Sequence, residues 1–373
     1  MQIGVYNQWR PRLVTVFRRE LEVSVRVANI VNLHLKHRVL DLRSFRFAML
    51  QDRHNRVISY LRISVTERCN FRCVYCMPPE GVELSPRQHI LSFEEIARVV
   101  RVGAGLGLTK IRLTGGEPTV RRDLPQLVSM LRAIDGIREI AMTTNAARLR
   151  VLANPLQNAG LNRVNISLDT LNAGRNFELT RRHFLPDVLD GINACQEITM
   201  PMKFNCVVMR GVNDNELCEL LSFAHEHSAQ MRFIEWMPMG MARLDKGNRI
   251  VTTTEMLQTL STRFDLVRES GDERDAARGW ICEKTGARVA FISSMSDHFC
   301  DSCNRMRLTA EGGLRPCLHQ DVETDVRHVL RNGGNDIDIA QAFHDAAYFK
   351  WRGHQMTQNI PLYSSKDMVR IGG

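Results

Sequence analysis

Residues 69–76 read Cys69-Asn70-Phe71-Arg72-Cys73-Val74-Tyr75-Cys76, a C-x3-C-x2-C run directly after a strand-like segment. Thiolates this close together on a loop can take three corners of a cubic iron–sulfur cluster, which ordinarily has four protein ligands. Only three are offered, so one iron is left open to an exogenous ligand. A structural zinc would need a fourth Cys or His close by, and the stretch to Glu80 supplies none. Of the ten cysteines in the chain, six fall in two tight clusters. That is the usage of metal ligation in a reducing compartment rather than of a disulfide scaffold.

Working outward from the octet, short β-branched runs alternate with amphipathic stretches. Strands are expected at 59–65, 110–114, 139–144, 163–168, 203–209 and 232–236. Helices are expected at 92–106, 123–134, 149–159, 187–198 and 213–227, the first opening on Ser92 with Glu95 placed for a capping box. Six βα units in series imply a parallel sheet with helices on its outer face. Right-handed crossovers wind such a sheet into a barrel, left incomplete where no seventh and eighth unit follow. The expected fold is therefore α/β, an incomplete (β/α)6 TIM-like barrel. Ligands of such a sheet belong at the C-terminal strand ends, where Thr114-Gly115-Gly116-Glu117-Pro118 lies. Adjacent glycines there let backbone approach a ligand, and Glu117 can accept from an ammonium group. After residue 265 the rhythm changes to a loop or hairpin (265–286), a strand-like 288–293 and two helices at 321–331 and 336–347. The expected division is 1–48, 49–265 and 266–373.

The formal charge of +9 is unevenly distributed, since residues 1–48 carry nine Arg/Lys against three acids. The remainder holds only +3, so no domain-wide basic surface for nucleic acid is present. Three readings fit the basic segment: an organellar transit peptide, a basic arm, or translation that begins at Met49, which is the one preferred. No run of eighteen apolar residues suggests a membrane span. No Gly-Lys dipeptide occurs, which excludes a P-loop nucleotidase.

The second cluster is Cys300, Cys303 and Cys317, spaced C-x2-C-x13-C. Here His298 and His319 flank the set and could complete a Cys3His zinc site. Between the ligands, Asn304-Arg305-Met306-Arg307 alternates so that both guanidinium groups share one face. Planar guanidinium forks beside an open metal site suit a phosphate-bearing substrate.

C-x3-C-x2-C after a first strand resembles the signature of the radical S-adenosylmethionine (SAM) superfamily, in which SAM chelates the open iron. With the second trio, the chain from Met49 to Gly373 resembles the GTP 3′,8-cyclase family, which opens molybdenum cofactor biosynthesis. Matching elements are Leu61-Arg62, Arg112 before Gly-Gly-Glu, Thr143-Thr144-Asn145, Lys203-Phe204-Asn205, Arg232 to Met237, Cys303 to Arg307 and the terminal Gly372-Gly373. The resemblance implies a radical SAM-type barrel whose mouth is closed by a C-terminal auxiliary-cluster region. It implies two [4Fe-4S] clusters, one on Cys69, Cys73 and Cys76 and one on Cys300, Cys303 and Cys317. It implies SAM bound by Tyr75, Gly116, Glu117, Ser167 and Met237, and GTP bound by Arg62, Arg112, Thr143, Lys203, Arg305 and Arg307.

The implied reaction is a lyase cyclisation. A SAM-derived 5′-deoxyadenosyl radical takes the C3′ hydrogen of GTP, and the C3′ radical attacks guanine C8. The product is (8S)-3′,8-cyclo-7,8-dihydroguanosine 5′-triphosphate. The implied partners are GTP, an electron donor such as a flavodoxin or ferredoxin, and the next enzyme, cyclic pyranopterin monophosphate synthase. A homodimer is also implied, in the cytoplasm, or in the mitochondrial matrix if residues 1–48 are a transit peptide. Competing readings are a peptide- or sulfatase-modifying radical SAM enzyme and a metal-stapled nucleic-acid-binding protein. One departure from the family pattern is Ala146, where Gly is usual after Thr-Thr-Asn. If the backbone there has positive φ, alanine costs about 1 kcal/mol.

Overall fold

The computed structural model describes residues 49–245, 247–272, 274–354 and 367–372. The readings placed on residues 1–48 and on Gly373 lie outside the described residues. Among these, no helix is long and apolar enough to cross a membrane.

The six expected parallel strands form where their β-branched runs lie. They are β1 (Tyr60–Ser64), β2 (Lys110–Thr114), β3 (Glu139–Thr144), β4 (Arg163–Ser167), β5 (Met202–Val208) and β6 (Gln230–Glu235). The helices α1 (Phe93–Gly105), α2 (Leu124–Arg132), α3 (Leu149–Asn158), α4 (Ala173–Thr180), α5 (Leu185–Glu197) and α6 (Leu217–Glu226) fall between them. α1 opens on the anticipated capping box: Glu95 N donates to Ser92 Oγ at 3.1 Å, and Ser92 N to Glu95 Oε2 at 2.7 Å. The last helix starts at Leu217 rather than 213. Asn213 is instead fully buried, its Nδ2 donating to the carbonyls of Asp169 (2.9 Å) and Val207 (3.0 Å), which ties the preceding turn to the sheet.

C-terminal to these units come α7 (Thr253–Leu260), β7 (Leu266–Arg268), β8 (Arg278–Cys282), β9 (Arg288–Ile292), β10 (Arg305–Leu308), β11 (Gly313–Arg315), β12 (Thr324–Asp325), α8 (Val326–Arg331) and α9 (Asp336–Tyr348). α4 and α7 were not expected from the sequence. The helix expected from 321 starts only at Val326, because Asp325 caps it by accepting from His328 N at 3.0 Å.

The strand order is β12-β11-β10-β1-β2-β3-β4-β5-β6-β9-β8-β7, an open sheet rather than a closed barrel. Two strands extend the parallel run beyond the six expected. β10 lies parallel to β1 and β9 parallel to β6. The incomplete barrel therefore gains a flank on each side from the C-terminal third of the chain, and one sheet spans both segments. The apolar positions of the strands, such as Leu61, Ile63, Ile111 and Leu113, are buried in the main core with the helices. The alternate positions of β1 and β2, Tyr60, Arg62, Ser64, Lys110, Arg112 and Thr114, are polar and face the other way.

Candidate active site

The loop after β1 presents the first trio. Cys69, Cys73 and Cys76 are free and half-buried. The loop is pinned by its backbone: Arg72 N donates to Thr180 O and Val74 N to Leu179 O, both at 2.9 Å, and Cys76 N to Cys73 O at 2.9 Å. The Arg72 guanidinium closes the turn on Cys69 O at 2.7 Å. Burial, followed by the charge of Glu117, pushes the Cys69 thiol up to about 11. Burial and Cys69 push Cys76 up to about 12. Thiolates are thus unfavourable here without a cation, and iron is a cation that soft sulfur donors select. The donor set fits a cluster.

Tyr75, between the second and third cysteines, donates its hydroxyl to Asp169 Oδ2 at 2.7 Å and lines a cavity of about 430 Å³. Ser167 at the end of β4 and Met237 after β6 line the same cavity. Burial raises Asp169 to about 6.

Gly116 and Glu117 lie outside this lining, and locally they support the cysteine loop. A Cβ on Gly116 would collide with Arg68 O, and one on Gly115 would sit 2.7 Å from Thr66 O. The glycine gap admits the chain that leads into the cysteine loop. Gly116 N donates to Thr66 O at 2.7 Å and Glu117 N to Arg68 O at 2.8 Å. The Glu117 carboxylate is buried. Its Oε1 accepts from Thr119 N and from the hydroxyls of Thr119 and Thr144. Its Oε2 accepts from Asn145 N at 2.7 Å.

Strand register builds the cavity wall. Arg62 on β1 stands level with Arg307 on β10 and with Arg112 on β2. Thr143 is level with Asn165, and Asn165 with Lys203. Arg62, Arg112, Thr143, Lys203, Arg305 and Arg307 all line the cavity. Confinement out of water lowers the basicity of Arg62, Arg112, Lys203 and Arg307. Burial, then Arg232 and Arg163, pull Lys203 down to about 8. Burial, countered in part by Cys317, pulls Arg307 down to about 10. Several lining groups have no hydrogen-bond partner among the described residues: Tyr60 Oη, Arg112 Nε, Thr143 Oγ1, Asn205 Oδ1, Arg305 Nη2 and His319 Nδ1. Buried polar atoms left unsatisfied are costly, so a polar, anionic ligand is what this wall lacks. Tyr60, Asn205, Lys110 and Arg232 were not singled out from the sequence as ligand-binding. Their signal was the same period-two alternation that runs from Arg62 back to Tyr60 and from Lys203 on to Asn205.

The second trio opens on the same space: Cys300, Cys303 and Cys317 all line the cavity. Cys300 sits in a short turn, Cys303 enters β10, and Cys317 follows β11. Burial opposes ionisation of Cys303, but Lys350 and Arg305 bring its thiol down to about 6. His298 and His319 do not close the set as isolated ligands. Both pack against His354, His298 edge-on and His319 tilted, with ring centroids at 4.1 and 4.4 Å. Burial holds His319 at about 3 and His354 at about 4, so both rings are neutral. Among the described residues, no three His, Cys, Asp or Glu side chains converge on a single-ion site.

The glycine tail also reaches this wall. Arg307 donates to the carbonyls of Ile371 (3.2 Å) and Gly372. Gly372 has φ +70°, and a Cβ there would lie 2.6 Å from Thr114 Oγ1. Ala146, the departure noted above, does have positive φ (65°) and is fully buried.

Residues 63–224 match the Radical SAM superfamily, and residues 229–356 match Molybdenum Cofactor Synthesis C. The chain is 42% identical over 324 residues to the GTP 3′,8-cyclase of Syntrophomonas wolfei subsp. wolfei, covering 86% of this chain and 99% of that protein. It is 43% identical over 327 residues to the GTP 3′,8-cyclase of Moorella thermoacetica, covering 87% and 100%. Among solved structures, Streptococcus suis SuiB bound to S-adenosylmethionine superposes with a TM-score of 0.56 at 16% identity, over 73% of this chain and 64% of that one. The anSMEcpe structure with bound AdoMet gives 0.54 at 14% identity, over 81% and 80%. These two likenesses establish the fold alone. With an open parallel sheet, a cation-walled cavity lined by the second cysteine trio and by Tyr75 of the first cysteine loop, and curated relatives matched nearly end to end, the chain belongs to the GTP 3′,8-cyclase family of radical SAM proteins.

Proposed function

We propose that this chain converts GTP to (8S)-3′,8-cyclo-7,8-dihydroguanosine 5′-triphosphate, the first step of molybdenum cofactor biosynthesis. The observation that carries the reading is the wall of in-register cations, Arg307–Arg62–Arg112 with Lys203 and Arg305, on the cavity that the second trio also lines.

Cys69, Cys73 and Cys76 would hold one [4Fe-4S] cluster with SAM on its open iron, and Cys300, Cys303 and Cys317 a second. When bound, the first cluster and SAM supply the 5′-deoxyadenosyl radical that takes the ribose C3′ hydrogen of GTP before C3′ bonds to guanine C8. The chain's own residues do the rest. Tyr75, its hydroxyl tied to Asp169, presents a fixed ring face for the adenine. Ser167 and Met237 line the same end of the cavity. Glu117 Oε2 accepts one bond, from Asn145 N, and keeps capacity for the methionyl ammonium beside Gly116.

Arg62, Arg112, Thr143 and Lys203 take the triphosphate by charge-assisted hydrogen bonds, strengthened because the wall is out of water. Arg305 and Arg307 hold the nucleotide against the second trio, which orients C3′ toward C8. Arg307 also grips the tail at Ile371 and Gly372, which covers the ends of β1 and β2 and keeps water from a radical.

Electrons come from a donor of the flavodoxin or ferredoxin kind, the product passes to cyclic pyranopterin monophosphate synthase, and the chain works as a homodimer. The buried cationic wall favours this reading over a peptide-modifying one, since a peptide backbone gives so many guanidinium groups no counter-charge.

The test is the double variant Arg305→Ala/Arg307→Ala in reconstituted protein. GTP turnover is expected to fall at least about a hundredfold, the scale of losing two charge-assisted contacts. Uncoupled SAM cleavage should persist. GTP affinity equal to that of the wild type would overturn the assignment of both arginines.

A further inference from the structure

Lys350 follows α9 and is only 2% exposed. Its ammonium donates to two neutral acceptors, Arg305 O at 2.7 Å and Pro316 O at 2.6 Å. No carboxylate pairs with it among the described residues. A charge taken out of water without a counter-ion is strongly disfavoured, so the site is incomplete without an anion. The two carbonyls indicate where that anion belongs. Arg305 lies two residues after Cys303, and Pro316 immediately precedes Cys317. Lys350, Cys303 and Cys317 line one cavity.

Of the other cations near this trio, Arg305 and Arg307 are the pair assigned above to the nucleotide, buried Arg315 is paired with Asp321 and Glu323, and Arg56 is balanced too. Arg56 donates to Cys300 O at 2.6 Å, but it is paired with Asp52 at 2.6 Å. Around the first trio the cations, Arg72, Arg181 and Arg182, are only half-buried. The buried carboxylates there are Glu117 and Asp169, the latter bonded to Tyr75 between two of the cysteines.

We propose that Lys350 is the built-in counter-ion of the second trio, a positioning residue that ties the Cys303 and Cys317 strands together and raises the reduction potential of the cluster they hold. This rests on the two-cluster reading given above. Reduction adds negative charge to a thiolate-bound cluster, and a fixed cation in a low-dielectric wall stabilises the reduced state. The strongly reducing electron is then left to the first trio, whose buried charged neighbours are carboxylates.

The experiment is redox titration of the anaerobically reconstituted full chain, followed by electron paramagnetic resonance, for wild type, Lys350→Met and Lys350→Arg. Metal content and GTP affinity are measured on the same samples. Lys350→Met keeps the apolar stem and removes the charge. Its expected result is about eight irons per chain, with one of two midpoints moved to more negative potential and the other unchanged. Lys350→Arg is expected to restore most of the shift. Unmoved midpoints with full iron would overturn the inference, as would weakened GTP binding with unmoved midpoints, which would make the triphosphate the counter-ion. If Lys350→Met loses four irons, Lys350→Gln, which keeps an N–H donor toward the two carbonyls without the charge, is titrated in its place. Loss of the second cluster from that variant too would show a structural staple only and overturn the redox role. A wild type with four irons would instead sink the two-cluster reading itself, and the inference with it.

Discussion

Ala146 shows how two small terms compete at one residue. Its φ of 65° costs alanine about 1 kcal/mol relative to glycine. Its methyl is fully buried among core residues, a contribution of about 0.8 kcal/mol. Ala146→Gly is therefore expected to be nearly neutral, with Tm within about 2 °C of wild type by calorimetry. A larger rise would mean that the strain goes unrelieved by packing. Lys203 makes a second residue-scale prediction. Burial and the nearby arginines hold its ammonium down to about 8, so the free protein loses that proton as pH rises through about 8. A triphosphate selects the protonated form, so GTP affinity should be flat below that pH and fall above it. Titration calorimetry at several pH values would show the fall in wild type. Lys203→Met should bind about tenfold more weakly at neutral pH and show a smaller slope. Such residues were unequally legible in the sequence. Arg62, Arg305 and the cysteines announced themselves by motif. Tyr60 and Lys350 did not, because their chemistry arises from carbonyls and arginines brought beside them by distant strands.

At the scale of elements, the glycine pair after β2 is a spacer for the cysteine loop. Gly116→Ala would force its Cβ into Arg68 O, and the 66–68 backbone has hydrogen bonds to Gly116 and Glu117 to lose. Iron content after reconstitution is expected to drop from about eight to about four per chain, with the second cluster retained. Full iron loading in this variant would show that the loop tolerates the displacement. The strands at 110–114 and 139–144 were legible to the residue, because Ile111 and Leu113 alternate with polar residues in β2 and Ile140 and Met142 keep the same period in β3. The onset of α6 was not, since Asn213 gives up helical geometry to satisfy buried carbonyls. β9 and β10 read as strands, but nothing local marked them as parallel neighbours of β6 and β1. The pairing of Tyr60 with Arg305 joins residues far apart in the chain.

Across the whole molecule, the C-terminal segment completes the site. It supplies three strands to each flank of the six-stranded core, three cysteines and three arginines (Arg274, Arg305 and Arg307) to the cavity, and a glycine tail against β1 and β2. This predicts that SAM chemistry and GTP chemistry separate. Removing the second trio by Cys300→Ala/Cys303→Ala/Cys317→Ala should leave uncoupled SAM cleavage near the wild-type rate and abolish cyclised product by chromatography. The account stands most directly on which hydrogen is removed inside the cavity. Reconstituted protein, SAM, reductant and GTP deuterated at C3′ would be incubated anaerobically, and the 5′-deoxyadenosine analysed by mass spectrometry. The account predicts one deuterium in the 5′-deoxyadenosine that accompanies cyclised nucleotide. Product formed with unlabelled 5′-deoxyadenosine, or SAM cleavage with GTP recovered intact, would contradict it.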